Sequence, residues 1–297
     1  MDIKQLRFLI ALDETRHFGQ AAARCHVTQP TLSMRLRGLE DELGVELVRR
    51  GQRFEGFTEA GQRILAWART LMAAHDGLYA EAQAFQGQLV GTLRVGLVPL
   101  ASFDPMPLLQ HLRLLHPKLH FQLQVLSTER ILEAVASNRL ELGISYLEHL
   151  DPARFDSLTL TETRMGLLYD ERHFSFDQAA LDWQAVAGLP LGLLTGAMHF
   201  RQSVDHGFRS LGLTPQPVLE TDAVYLLLQA VNAGLCCAVV PLAGGFDRLT
   251  PHARLIPIAT ARTLTPLGLL IRRTEPRLAV ADACFQAVKA LYADSDR

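Results

Sequence analysis

Cysteine is scarce in this chain: four residues in 297, at Cys25, Cys236, Cys237 and Cys284. Their spacing matches neither a zinc site nor a disulfide framework, which points to a reducing setting. A surplus of one charge is also lacking. Lys and Arg number 29 against 31 Asp and Glu, a net charge of −2, so overall charge gives no hint of nucleic-acid binding. Residues 1–60 hold nine basic and nine acidic side chains, so any such claim rests on where the charges sit. No run of eighteen uncharged apolar residues occurs, which argues against a membrane-spanning helix. The opening MDIKQLRFLI has neither a basic leader nor a cleavage site, so no secretory signal is expected. A cytoplasmic location is the expectation.

Motifs of catalysis are missing as well. No G-x-G-x-x-G or Walker A stretch follows the first predicted strand, so there is no nucleotide cradle. No G-x-S-x-G elbow is present, nor an acid/base cluster of informative spacing. The eleven histidines include no H-x3-H or H-E-x-x-H pairing near cysteines, and His111 and His116 would not share a helix face. Neither a metal nor a cofactor is expected.

What is present divides into three zones. Residues 1–57 read as short helices followed by a basic tail, VRRGQRFEGF. Residues 58–88 include a proline-free helical stretch. Ile64, Ala68, Leu71, His75, Leu78, Ala82 and Phe85 recur there at alternating spacings of four and three, a heptad seam that favours a dimer contact. Packing on its own domain is the competing reading of that stripe. Residues 89–297 alternate short β-branched runs with helices, as an α/β domain does. Strands are predicted at 92–98, 120–126, 140–146, 166–169, 191–195, 236–240 and 266–271. Two doubly wound subdomains suit this order, one of about 89–163 and 266–297, the other about 164–265. Ligands are then expected beyond the carboxyl ends of the strands.

The N-terminal zone carries the sharpest pattern. In the stretch TQPTLSMRLRGLEDELG, Leu32, Leu36, Leu39 and Leu43 fall on one helical face. Thr28 can cap the helix start, and Pro30 is tolerated in the first turn. The alanine-rich segment before it permits close helix packing, with Val27 plugging the corner. Gln29, Thr31, Ser33, Arg35 and Arg37 make the other face polar and basic, suited to phosphates and base edges in a major groove. Met34 lies opposite the leucines, where a thymine methyl could meet it, although single exposed methionines are common. Arg49, Arg50 and Arg53 surround Gly51 as in a basic wing.

These residues resemble the LysR-type transcriptional regulators. The alanine pair of the first turn helix, TQPTLS, LEDELGVELVRR and TEAG stand in register with that family, strongly to about residue 61. The match is diffuse beyond, where AGLCCAVVP resembles a small-residue strand ending in proline. The resemblance implies a winged helix-turn-helix, a linker helix and a periplasmic-binding-protein-like effector domain. It also implies a homo-oligomer, commonly a tetramer, on dyad-symmetric promoter DNA, with RNA polymerase as a further contact. By position, Thr28, Gln29, Pro30, Thr31, Ser33, Arg35 and Arg37 match the recognition region, and Arg50 and Arg53 the wing. Gln29, Ser33 and Met34 are assigned to base readout, and the arginines chiefly to phosphates.

The family's effector site matches Ala101 and Ser102, then Ser127 and Thr128, and across the cleft Thr195, His199, Arg201 and Thr221. Hydroxyls and helix starts favour an anion, so a small carboxylate or inorganic oxyanion is the expected inducer. Arg201 would add a charge-assisted contact. Ser127 and Thr128 would serve equally as helix caps, Arg201 as a solvated residue, and His199 as a partner to a nearby carbonyl. Peroxide-sensing members carry reactive and resolving cysteines where this chain has His199 and Phe208, so that thiol chemistry is not carried over. Cys236 and Cys237 read as core residues. Three other readings compete with an effector-responsive regulator: an α/β enzyme with a helical dimerisation unit, a thiol-based redox-sensing regulator, and a solute-binding protein.

Overall fold

The computed structural model describes residues 1–50, 53–84, 89–148, 150–248, 250–259 and 264–295, with backbone only at 50, 83–84, 264–265 and 293–295. Two compact units emerge: Met1–Leu89 with Ser137–Arg139, and Val90–Ala136 with Leu140–Arg297.

The first unit begins with α1 (Ile3–Thr15), α2 (Phe18–Arg24) and α3 (Gln29–Leu43). Each start is capped by a side chain. Asp2 accepts the Gln5 N–H at 2.8 Å while the Gln5 side chain takes the Asp2 N–H at 2.7 Å, a reciprocal box. His17 caps α2, and Thr28 caps α3 with Pro30 in the first turn. Gly44, at φ 69°, ends α3 in the left-handed conformation that glycine enters without a Cβ penalty. A short antiparallel ribbon follows, β1 (Val48–Arg50) with β2 (Phe54–Phe57). The unit closes with α4 (Glu59–Ala84).

Leu9 and Leu12 of α1 and Leu32, Leu36 and Leu39 of α3 are almost wholly buried together. Burying each such side chain contributes about 2 kcal/mol. Ala21 and Ala22 are buried too, and their small size lets α2 lie close to its neighbours. Leu43 departs from the leucine pattern: it is 37% exposed, because α3 runs one turn past the core.

Helix α4 splits the predicted seam in two. Ala68 is buried in the unit's own core beside Leu65 and Met72, and Ile64 packs partly against it. Three short helices leave apolar surface uncovered, and the first turns of α4 cover it. Leu71, Leu78 and Ala82 remain exposed, joined by Trp67 at 67% exposure. His75 is half-buried against Tyr79, with ring centroids 5.0 Å apart. Phe85 lies outside the described residues. Gly61 has a separate reason: a Cβ there would stand 2.0 Å from the Leu47 carbonyl oxygen, so only glycine lets the first turn of α4 lie against the backbone just before β1.

The second unit alternates strands and helices. In order these are β3 (Gly91–Leu97), α5 (Met106–Leu115), β4 (Leu119–Val125), α6 (Thr128–Ala136), β5 (Leu142–Tyr146) and β6 (Phe155–Thr163). Then come β7 (Met165–Asp170), α7 (Trp183–Ala187), β8 (Leu191–Leu194), α8 (His199–Arg209), β9 (Leu219–Thr221) and α9 (Val224–Asn232). The last are β10 (Cys237–Pro241), β11 (Ala253–Pro257), β12 (Leu264–Arg272) and α10 (Ala279–Ser295). One sheet runs β4-β3-β5-β12-β6 and the other β11-β7-β10-β8-β9. The chain leaves the first sheet after β6 and returns to it at β12.

Both sheets are mixed. β3 pairs in parallel with β4 and β5, whereas β12 runs antiparallel to β5 and β6. β8 pairs in parallel with β9 and β10, whereas β7 runs antiparallel to β10 and β11. Strands β6, β9 and β11 lie outside the predicted set. In β6, FDSLTLTET alternates polar and apolar positions, as an edge strand with one wet face does, and so lacks the continuous apolar run of a central strand.

Candidate functional site

Helix α3 presents a face shaped for a groove. With Leu32, Leu36 and Leu39 turned inward, Gln29, Pro30, Arg35 and Arg37 are exposed, and Met34 is 64% exposed. Thr31 and Ser33 are half-buried at the flank. The Thr28 and Thr31 hydroxyls are 2.9 Å apart and serve the cap. Arg35 stands 3.5 Å from the Asp2 carboxylate, both half exposed, an ion pair weak enough to exchange for a phosphate. The Gln5 side chain donates to the Arg35 carbonyl at 3.3 Å and so docks α1 on α3.

The ribbon β1–β2 is held beside α3. Phe54 packs edge-on to Phe18 and Phe57, and the Arg16 guanidinium lies 5.9 and 5.7 Å from the Phe54 and Phe57 ring centres. Arg49 and Arg53 are exposed on it. Only the backbone of Arg50 is described.

The other predicted site residues gather at the ends of β3, β5 and β8 in the second unit. Ala101 and Ser102 follow β3 and are buried; the Ser102 hydroxyl lies 2.6 Å from that of Thr163, where the chain leaves the first sheet. Thr128 opens α6 and accepts from the Ser145 hydroxyl at 3.0 Å. Thr221 takes the Ala223 N–H at 3.1 Å, and the Thr195 N–H donates to the Thr221 carbonyl at 3.0 Å. These hydroxyls therefore spend contacts on one another and on the backbone.

Arg201 does not stand free for a ligand, contrary to the expectation from sequence. Its Nε donates to Asp205 at 2.7 Å and its Nη1 to Glu220 at 3.0 Å, with a further bond to the Leu194 carbonyl. The i,i+4 placement of Asp205 on α8 makes the first of these a local pair. Ser127 sits at the α6 start, and the neighbouring Glu129 carboxylate is held below its usual range by its own backbone N–H and the Ser127 hydroxyl.

His199 joins the two sheets. Its ring stacks on Tyr146 at the end of β5, with centroids 4.4 Å apart and planes 25° from parallel. Its Nε2 lies 3.5 Å from the Glu148 carboxylate. The Tyr146 hydroxyl and His199 Nδ1 are buried without a hydrogen-bond partner. Tyr146 and Glu148 were not among the predicted site residues. The position of Tyr146 at the carboxyl end of a central strand was the available signal.

Residues 3–62 match the bacterial regulatory helix-turn-helix protein, lysR family, and residues 86–293 match the LysR substrate binding domain. The chain belongs to the LysR family of transcriptional regulators. It is a DNA-binding regulator with an effector-binding domain. It is 30% identical to the DNA-binding transcriptional dual regulator OxyR of Escherichia coli K12, across 98% of this chain and 95% of that protein. A point variant of full-length OxyR from Pseudomonas aeruginosa is 25% identical, and the match covers 97% of each chain with a TM-score of 0.73. CbnR complexed with its target DNA shares the fold at a TM-score of 0.70 and 21% identity, over 98% of this chain and 99% of that one.

None of the four cysteines lies on α8. Cys236, Cys237 and Cys284 are buried; burial raises the Cys236 thiol and pushes those of Cys237 and Cys284 up to about 12. Burial also raises that of Cys25, at the end of α2. Thiols so shifted carry almost no thiolate at neutral pH. Among the described residues, no group of three or more His, Cys, Asp or Glu is arranged to hold a metal ion. Among them too, no helix is long and apolar enough to cross a membrane.

Proposed function

We propose that this LysR-type regulator binds dyad-symmetric promoter DNA in the cytoplasm through α3 and the wing, as a dimer joined along the exposed half of α4 and assembled further into a tetramer. The observation that carries this is the outward face of α3: Gln29, Met34, Arg35 and Arg37 are exposed on a helix whose opposite face is buried. Gln29, Ser33 and Met34 read bases, and the arginines, with Arg50 and Arg53, neutralise phosphates. The functional division is 1–57 for DNA, 58–88 for dimerisation and 89–297 for the effector. RNA polymerase is the partner in transcription, and no catalytic step is assigned.

A small effector in the cleft where β3, β5 and β8 end acts by binding one closure state of the two sheets better than the other. Only that difference shifts the promoter-bound geometry. A thiol switch is not favoured, because α8 carries His199 and Phe208 at the positions implied for cysteines, and the buried thiols stay protonated.

Fluorescence anisotropy with the DNA upstream of the protein's own gene, against scrambled DNA across a salt series, tests the reading. Tight, sequence-preferring binding that weakens steeply with salt supports it. Equal, weak binding to both, followed by an empty genome-wide site selection, overturns it.

A further inference from the structure

We propose that the cleft takes an uncharged ligand that presents a hydroxyl or primary amide to Tyr146 and His199, and that it turns away free anions. This rests on the cleft being the effector site. Two of the usual attractions for an anion, the Ser127 hydroxyl and Arg201, are already engaged by the chain itself. The Ser127 hydroxyl at the start of α6 faces the Glu129 carboxylate, and Arg201 on α8 is engaged by Asp205 and Glu220. The Thr128 and Thr221 hydroxyl oxygens accept from the Ser145 hydroxyl and the Ala223 N–H, and the Ser102 hydroxyl pairs with that of Thr163.

Among the described residues, two buried polar side-chain atoms remain unmatched, and both belong to the stacked pair. Tyr146 is 1% exposed and its hydroxyl lacks a partner; His199 Nδ1 is buried and lacks one too. Burial raises the Tyr146 pKa, so the phenol stays protonated and donates. In the neutral imidazole whose N–H is Nε2, the nitrogen 3.5 Å from the Glu148 carboxylate, Nδ1 is an acceptor. The pair therefore offers one donor and one acceptor on neighbouring rings. A hydroxyl or a primary amide answers both at once, whereas a carboxylate answers only the donor. Glu129 and Glu148 both act on His199, and their charges oppose an anion beside it. A buried donor or acceptor left unmatched penalises the wrong ligand, which is how such a site discriminates.

Saturation-transfer NMR on the full-length protein tests this with acetamide and acetate, which have the same shape and differ in charge. Acetamide should give a signal that falls at least threefold in Tyr146→Phe and in His199→Gln, with circular dichroism unchanged. Acetate should give no more than the Tyr146→Phe background. A stronger acetate signal, an absent acetamide signal, or an acetamide signal indifferent to both substitutions overturns the ligand class. An acetate signal lost in Thr128→Val would keep the cleft as the site while overturning the class. If neither probe responds to any of the three substitutions, the cleft itself is the wrong place. Promoter binding on the same samples reports separately on the regulator.

Discussion

The Glu40 carboxylate, in the last turns of α3, accepts the backbone N–H of Leu47 at 2.9 Å. It also accepts that of Val48 at 3.1 Å, so one side chain of the recognition helix holds the first strand of the wing. Leu47 and Val48 are buried, and water cannot readily replace the lost acceptor. Glu40→Ala should cost about 2 kcal/mol of stability and Glu40→Gln clearly less. Urea unfolding followed by circular dichroism measures both; an unchanged midpoint for the alanine variant would remove the coupling.

On α3 the two kinds of DNA contact should separate. Arg35→Ala should weaken binding to all sequences alike and lower the slope of log K against log salt by about one. Met34→Ala should cost about 1 kcal/mol on the native site only, since a thymine-methyl contact is lost. Anisotropy on native and base-substituted duplexes distinguishes them. A uniform loss in the methionine variant would place Met34 outside base readout.

Leu71 and Leu78, 47% and 69% exposed on the far half of α4, should be the apolar positions a second copy covers. Leu71→Glu should shift the sedimentation coefficient to smaller species, whereas Ala68→Gly should chiefly lower stability, because Ala68 is in the unit's own core. An unchanged mass for Leu71→Glu removes the α4 contact.

Asp170, 1% exposed, accepts the Arg172 backbone N–H and guanidinium at 2.6–2.9 Å, which hold its carboxyl down to about 2. A carboxyl lowered from 3.8 stabilises the fold fully above its unfolded value, and loses that contribution as pH falls towards 2. Asp170→Asn should therefore lower the thermal midpoint at pH 7, with a gap to wild type that narrows below about pH 4. A gap independent of pH would show that packing, and not the charge, matters there.

Hydrogen peroxide should leave promoter affinity unchanged within about twofold, because burial holds the thiols of Cys237 and Cys284 near 12. Anisotropy before and after treatment, with mass spectrometry of the cysteines, checks this. A loss of affinity that disappears in Cys236→Ser or Cys237→Ser would restore a redox role.

Local pattern and tertiary contact shaped this protein differently. The leucines of α3 and its Thr28 cap depend on neighbours three or four residues away, so they were legible from spacing, and the winged helix-turn-helix followed from the resemblance those residues carry. The continuous apolar runs of β8 and β10 were legible from local pattern too. The edge strands β6, β9 and β11 were not, since short or half-polar strands owe their place to the partners they pair with. Ala68 and Leu71 belong to one repeat, and only the uncovered surface of the three short helices decided which turned inward. Arg201 reads the same in any chain, yet Asp205 and Glu220, the latter 19 residues away, use up its charge. Tyr146, Glu148 and His199 come from strand, loop and helix, the histidine more than 50 residues from the other two, and no periodicity links them. Folding brought these rings together, because pairing at a cleft is set by where strands end and not by sequence neighbours.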